Sequence, residues 1–549
     1  MNIYDTIDKT LLGLHSNDAR FIKELKEVKQ YYEFYEGRPS ETLKDIDESD
    51  YQEHRGQLWP VKIGDYRPTR EIRNITKKLM KKQKRFMTSC PPDIILQSIN
   101  DVDKDAIENK RIAFDTILDR GKFWNKFSKA FMDCTIGKRV LLTLALDEED
   151  PLCPVKFRFY TMPEFTYEYD PNDSDKLVKV QIAYQDEQTV GKVAKEQRWH
   201  KWVYEMRYNN VVDEETGLTN KEGHCWCIYE VVDGTNTVAF LELPVNPYIN
   251  EEISDSGQSN AIELHEEWDT GLTELPCKVI FNDGLTGDIR GQSDIKDLMD
   301  MANDYNRTLS DYRDALKFKM FEQPVFIDAD SSSLEGIKIA PNSLIDLKSD
   351  RTMGDGTSST SIAKAQMLSS TFNFQAAADA YLERLKKDMY ECMDQPLPES
   401  LVNVASGKAL RMLNDDLISR CEEKWSEWDE AIIWLLKMIE TVVIESGLYS
   451  DIPNINSMSL DTMITLNHNY PIPDDEVENK EVAIKEVEAQ VRSKQSYIRE
   501  YGSAEEADKE FEEILEELDK VNMTNNAMMG DEFSSSPNNS NSNSPDNNE

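Results

Sequence analysis

A chain of 549 residues and 63.3 kDa exceeds one ordinary domain, and its mean hydropathy of -0.62, with no apolar run near ~18 residues, excludes a membrane-spanning helix. With 104 Asp and Glu against 63 Lys and Arg, the net charge of -41 excludes bulk affinity for a polyanion such as nucleic acid. The start MNIYDTIDKTLLGLHSND places acids ahead of any apolar block and predicts no secretory signal, and eight scattered cysteines (90, 134, 153, 225, 227, 277, 392, 421) predict reduced thiols in a soluble, cytoplasmic setting.

Residues 1 to about 60 predict helix, with steps at Phe21, Leu25, Val28, Tyr32 and Tyr35 before the break at Gly37-Arg38-Pro39. Next, Arg67, Arg70, Arg73, Lys77, Lys78, Lys81, Lys82, Lys84 and Arg85 surround an apolar line of Ile72, Ile75, Leu79 and Phe86. This is the one strong basic patch. Two readings stand for it: a helix face that is solvated or docked on an acidic neighbour, and direct contact with phosphates. Lys104 to Met132 predicts a further helix through Ile107, Ile112, Phe114, Ile117, Phe123, Trp124 and Phe127. From Val140 to about Leu243, short β-branched and aromatic runs such as Val155-Lys156-Phe157-Arg158-Phe159-Tyr160, separated by turn clusters, predict an antiparallel β region.

Gly291-Gln292-Ser293-Asp294 opens the most informative segment. Ser293 suits an N-cap, and Ile295, Leu298, Ala302, Tyr305, Leu309, Tyr312 and Leu316 then recur at spacings alternating between three and four. One helix from Ser293 to Met320 follows, roughly 40 Å long at about 1.5 Å per residue. Asp297, Asp300, Asp304, Asp311 and Asp314 make an acidic stripe beside its apolar seam. On a single molecule that stripe is a wet helix face; in a ring it lines a channel.

After Gln323-Pro324, Val325-Phe326-Ile327 and Leu344-Ile345-Asp346-Leu347 read as β-prone, and Gly354 to Thr360 as a flexible loop. A second helix is predicted from Phe372 to Met393, with Phe374, Ala378, Tyr381, Leu385 and Met389 on one face, stopping before Pro396 and Pro398. Beyond Ser406-Gly407-Lys408 the strongest amphipathic pattern of the chain, Trp428, Ile432, Leu435, Ile439 and Val442, predicts a long packed helix. A strand at Met463-Ile464-Thr465-Leu466 and the break Pro471-Ile472-Pro473 precede acidic helices, where Ser503 and Glu506 fit a capping box. In the last segment, Gly530 to Glu549, six Ser and six Asn leave too little apolar matter to offset chain entropy, so the tail is predicted disordered.

Catalytic patterns are missing from the sequence. Gly407-Lys408 has Val402 where a P-loop needs Gly and Ala409 where it needs Ser or Thr. His224-Cys225-Trp226-Cys227 offers soft ligands, but no second Cys/His pair stands near it, and strand alternation reads it as structural. Pro473-Asp474 with Glu478-Asn479-Lys480 resembles a metal-dependent nuclease set only superficially, since the spacing is too short. No catalytic residue, metal site or cofactor is therefore assigned.

The segment GQSDIKDLMDMANDYNRTLSDYRDALKFKMFEQPVFIDAD, Gly291 to Asp330, resembles the stem and the start of the clip in tailed-bacteriophage portal proteins of the siphophage type. Shared features are the Gly-x-Ser-Asp start, Tyr-Asn then Leu-Ser-Asp on the long helix, and a Pro-Val exit. Pro91-Pro92-Asp93-Ile94, Ser406-Gly407-Lys408-Ala409-Leu410 and the stretch from Ile464-Thr465-Leu466 to Pro473-Asp474-Asp475 extend the likeness over about residues 20 to 520. It implies an α+β fold with wing, two-helix stem, small β-containing clip and helical crown. The implied boundaries are 1–290 for the wing (β-rich over about 140–290), 291–320 and 361–393 for the stem helices, and 321–360 for the clip. Residues 394–406 become a tunnel loop, 407–472 the long wing helix and strand, 473–521 the crown, and 522–549 the tail.

What the resemblance further implies is a dodecameric ring at one capsid vertex. The ring is a passive conduit for packaging and ejecting double-stranded DNA, with terminase, a head-tail adaptor, the major capsid protein and a scaffolding protein as partners, and with no membrane. Twelve copies at -41 each would carry about -490, which suits a channel along which DNA slides. Lys317, Lys319, Asn403 and Lys408 are the implied DNA-proximal residues. The location is the virion, after assembly in the host cytoplasm. Two rivals remain at this level: a phage-encoded metal-dependent nuclease, and a monomeric helical adaptor or scaffold.

Overall fold

The structure, a computed structural model, describes residues 19–37, 51–54, 57–60, 69, 71–98, 104–147, 149–190, 194–212, 219–233, 262–284, 288–320, 323–327, 364–368, 374–402, 407–472, 476–501, 509–517 and 520. The described chain mixes helix and sheet. It opens with α1 (Ala19–Glu36), a hairpin of β1 (Tyr51–His54) and β2 (Gln57–Pro60), α2 (Ile75–Thr88) and β3 (Asp93–Ser98). There follow α3 (Lys104–Arg120), α4 (Phe123–Gly137), β4 (Arg139–Leu146), β5 (Val155–Thr161), β6 (Phe165–Asp170), β7 (Asp173–Val190), β8 (Ala194–Val212), β9 (Thr219–Asp233), β10 (Ile262–Asp269) and β11 (Cys277–Phe281). Then come α5 (Asp294–Met320), β12 (Gln323–Ile327), β13 (Lys364–Leu368), α6 (Gln375–Cys392), α7 (Gly407–Leu413), α8 (Asp415–Ser446), β14 (Thr462–Asn467), α9 (Glu476–Glu488) and α10 (Lys494–Tyr501).

The chain divides into two compact units: residues 1–401 with 414–471, and residues 402–413 with 472–549. In the first, an antiparallel sheet in the order β10-β9-β8-β7-β6 faces a three-stranded sheet, β11-β4-β5, and their inner faces share Leu141, Phe165, Val180, Ile182, Cys225, Cys277 and Val279 as core. A helical core gathers α1, α2, α4, α5 and α6 through Leu25, Val28, Leu79, Ile136, Leu298, Leu385 and Met389. The long α8 buries Trp425 and Trp428 on Phe127, at ring distances of 5.5 and 4.8 Å, and so ties α4 to its own apolar face. Such offset and edge-on aromatic contacts add to simple area burial. In the second unit, α9 and α10 bury Ala483 and Ile498, and Arg492 links Glu486 and Glu500.

Four expectations change on inspection. The helix predicted over 104–132 is two, because Gly121 and Lys122 turn the chain. A Cβ at Gly121 would lie 2.3 Å from the Phe157 ring, and Lys122 adopts a left-handed φ of 52°. Within the expected N-terminal helical stretch, β1 and β2 form a hairpin. Residues 364–368, which the resemblance implies to be the start of the second stem helix (361–393), are a strand paired with β12 in the register Gln323↔Leu368 to Ile327↔Lys364. Finally, the helix expected from Gly407 to Gly447 is interrupted at Asn414, whose carbonyl accepts the Ile418 amide to start α8 afresh. The β-prone Leu344 to Leu347, the capping box at Ser503 and Glu506, and the tail fall outside the described residues. No helix among the described residues is long and apolar enough to cross a membrane.

Candidate functional site: a paired-helix rod and its polar base

The rod starts where Gly291-Gln292-Ser293-Asp294 threads between β11 and α8. Gly291 has a φ of +71°, and a Cβ there would sit 2.5 Å from the Lys138 carbonyl oxygen, so only glycine fits. The Gln292 amide reaches the Asn282 carbonyl at 2.6 Å, and Ser293 Oγ accepts from the Ile295 amide at 3.3 Å as the N-cap of α5. One residue on, Asp294 is buried in a knot of donors. Its carboxylate accepts from Asn282 Nδ2 at 2.8 Å, Gln83 Nε2 at 3.1 Å and Lys424 Nζ at 3.0 Å, with Arg420 at 3.6 Å. Burial alone would push this carboxyl up, but the Lys424 and Arg420 charges and the hydrogen bonds outweigh it and hold it below the usual carboxylate range.

Arg420 also donates to Asp394 at 2.9 Å and to the Cys392 carbonyl at 3.3 Å, so α8 clasps the start of α5 and the end of α6 with one side chain. Gln395 Nε2 adds a bond of 2.8 Å to the Leu79 carbonyl of α2. Below the knot, Arg139 grips Glu24 through two bonds of 2.7 and 3.0 Å and donates to the Arg290 carbonyl, which fixes the approach to Gly291.

From this base α5 and α6 run antiparallel, with Ile295, Leu298, Ala302, Tyr305 and Leu309 against Leu382, Leu385, Met389, Tyr390 and Met393. Leu316, expected on the same seam, is 38% exposed. The pair continues into the β12–β13 ribbon. Along another face of α5 lies a strap of chain just before α2. The amides of Thr69, Glu71 and Arg73 donate in turn to Asp314 Oδ2, Ser310 Oγ and Asn306 Oδ1 at 2.8, 2.9 and 2.8 Å. Two residues of extended chain rise roughly 6.6 Å and four helical residues roughly 6 Å, so alternate amides of one meet every fourth side chain of the other.

Asp314 is thus buried in the strap contact, apart from the rest of the acidic stripe. Asp297, Asp300, Asp304 and Asp311 are exposed. Lys317 likewise turns to the strap, donating to the Thr69 hydroxyl and lying 3.4 Å from Asp314.

Residues 14–523 match the family described as phage portal protein, SPP1 Gp6-like. The chain belongs to that family. Among curated proteins none matches it. The match spans both compact units, so the function is that of a phage portal, and the nuclease and adaptor readings are not favoured.

In this portal chain the basic patch is split by its surroundings. Arg67 and Arg70 lie outside the described residues. Arg73 is exposed beside Glu71; Lys77 lies over the Tyr35 ring at 5.0 Å and Lys78 over Tyr390 at 5.9 Å; Lys82 points to the Pro396 carbonyl at 3.5 Å. Lys81 and Arg85 are exposed and Lys84 half-buried. Lys319 is half-buried near the far end of α5, Lys408 is exposed on α7, and Asn403 lies outside the described residues. Cys225 and Cys227 are buried on one side of β9, where burial pushes both thiols up, to about 11 and about 12. Among the described residues no cluster of three His, Cys, Asp or Glu could hold a metal ion.

The residues missed by sequence reasoning are Asn282, Lys424, Arg420 and the Asn306–Ser310–Asp314 ladder. A signal existed for Lys424: it sits in the buried stripe of α8 with Leu417, Cys421 and Trp428, where a lysine is tolerated only beside a buried acid.

Proposed function

We propose that copies of this portal chain encircle a pore, each lending α5 and α6 to the wall of a passive conduit for double-stranded DNA. The uneven dressing of the rod carries this reading. Its inner flanks are sealed by the seam and the strap, while Asp297, Asp300, Asp304 and Asp311 stay in water and residues 374–381 are uncovered apart from the half-buried Ala378, with Phe374 at 46% and Tyr381 at 45% exposure. The partly exposed aromatic residues at the head of α6 suit cover by the next copy in a heterologous ring contact. Carboxylates turned to a common axis would keep phosphates from adhering as DNA slides.

In this reading 291–320 and, of the implied 361–393, the helix α6 form a stem, 321–360 together with β13 a clip that meets terminase and later an adaptor, 394–406 a tunnel loop, 473–521 a crown, and the remainder a wing. The ring is dodecameric, sits at one capsid vertex and contacts the capsid protein and a scaffold; it carries no catalytic residue and no cofactor. Lys319 and Lys408 are the described candidates for passing contact with DNA, joined by Asn403. Lys317 is engaged by Thr69 and Asp314. Negative-stain images of the purified full-length chain should show rings with a central hole, and Lys319→Glu with Lys408→Glu should lower packaged DNA severalfold with rings intact. Particles without a hole would end the ring reading, and unchanged DNA yield would remove those lysines from the channel.

A further inference from the structure

The basic character of α2 does not stop at α2. Thr88 and Ser128 share a hydroxyl hydrogen bond of 2.9 Å where α2 packs on α4. There Lys84 meets the field of Lys129 as well as that of Lys81 and Arg85: burial first, then these neighbours, lower its pKa against the pull of Asp133. Farther along α4, burial and the neighbouring Lys156, Arg158 and Lys122 lower that of Lys126. Between the two groups opens a cavity of about 410 Å³, whose walls include Lys126, Lys129, Arg158 and the carboxyl of Asp133, which accepts from the Tyr32 hydroxyl at 3.2 Å, and whose apolar side is formed by Phe159 and Tyr160.

Lys81, Lys84, Arg85, Lys126, Lys129 and Arg158 make no ion pair among the described residues. In a chain of net charge -41, where acidic partners abound, six cations left together without an ion pair, near the buried carboxyl of Asp133 that burial pushes up to about 6, mark a surface kept for an outside anion. We propose that this surface and its cavity bind an acidic peptide segment of a partner protein, the carboxylates meeting the six cations and one aromatic or large aliphatic residue filling the cavity. The apolar wall decides between polyanions. A duplex presents a regular phosphate ridge with nothing to place beside Phe159 and Tyr160, whereas a peptide can bring a side chain of the right chemistry. The proposal does not depend on the ring.

The test uses the full-length chain and three labelled probes in fluorescence anisotropy at one moderate salt concentration: a short polyglutamate peptide with one central phenylalanine, the same peptide with alanine in its place, and a short DNA duplex. The phenylalanine peptide should bind about tenfold or more tightly than the alanine peptide, since burying a phenyl group is worth at least that factor. It should also outcompete the duplex. Lys129→Glu should weaken it about tenfold, as should Lys81→Glu with Arg85→Glu, all three positions being exposed and the thermal midpoint serving as control for folding. Equal binding of the two peptides, tighter binding of the duplex, or indifference to both variants would overturn the proposal.

Discussion

Two groups of cations in the same compact unit obey opposite rules. At the base of the rod, Lys424 and Arg420 face Asp294, Asp283 and Asp394, and nearly every charge there is met within hydrogen-bonding reach. Along α2 and α4, Lys81, Lys84, Arg85 and Lys129 gather without an ion pair among the described residues. Burial makes the difference. A charge removed from water must find its counterion inside the fold, whereas an exposed one can wait for a counterion from outside. The first group is therefore an element of stability and the second an element of recognition, and substitutions should separate the two.

The largest effect is expected at the knot. Asp294→Asn should cost about 3–5 kcal/mol, because it strands the buried Lys424 ammonium, read as a drop in the denaturant midpoint. The natural carboxyl, held below its ordinary 3.8, contributes stability that is complete above that pH and is lost as pH falls through the folded value near 2. The variant should lack this acid slope, and a loss under about 1 kcal/mol at neutral pH would mean the knot is not the anchor claimed.

A smaller effect belongs to His468, which bridges Glu422 at 2.8 Å and Asp429 at 3.0 Å while stacked on Trp425 at 4.6 Å. Burial lowers its pKa, but hydrogen bonds to Asp429 and Glu422 and their charges prevail and raise it above 6.5. Its contribution is thus complete below that pH and fades as pH rises through the folded value. Since the ring is partly solvated, the loss between pH 6 and 9 should stay under about 1 kcal/mol, and His468→Gln should flatten the profile. Smallest of all, Lys81→Glu with Arg85→Glu should shift stability by no more than about 0.5 kcal/mol. A larger loss would return these side chains to the structural group.

The long α5 could be read directly, since its three-four spacing and the Ser293 cap are properties of contiguous residues, and the structure places the helix within one residue of the expected start. The basic run of α2 was equally plain in composition. Which of its lysines lie over Tyr35 or Tyr390 and which stay in water could not be read, because the rings stand on other elements. The same holds for Asp314, whose place in an acidic stripe was evident from spacing while its burial depends on Thr69, 245 residues away.

Local periodicity, caps and charge runs thus settled the long α5, the net repulsion of polyanions and the likeness to a family, because backbone geometry repeats over a few residues and needs no partner to be recognised. The split at Gly121, the pairing of β12 with β13 and the counterions of Lys424, 130 and 141 residues distant, were decided by the folded chain alone. What a side chain meets across a core or a ladder is set by packing between distant segments, and no spacing along one segment encodes what will lie opposite.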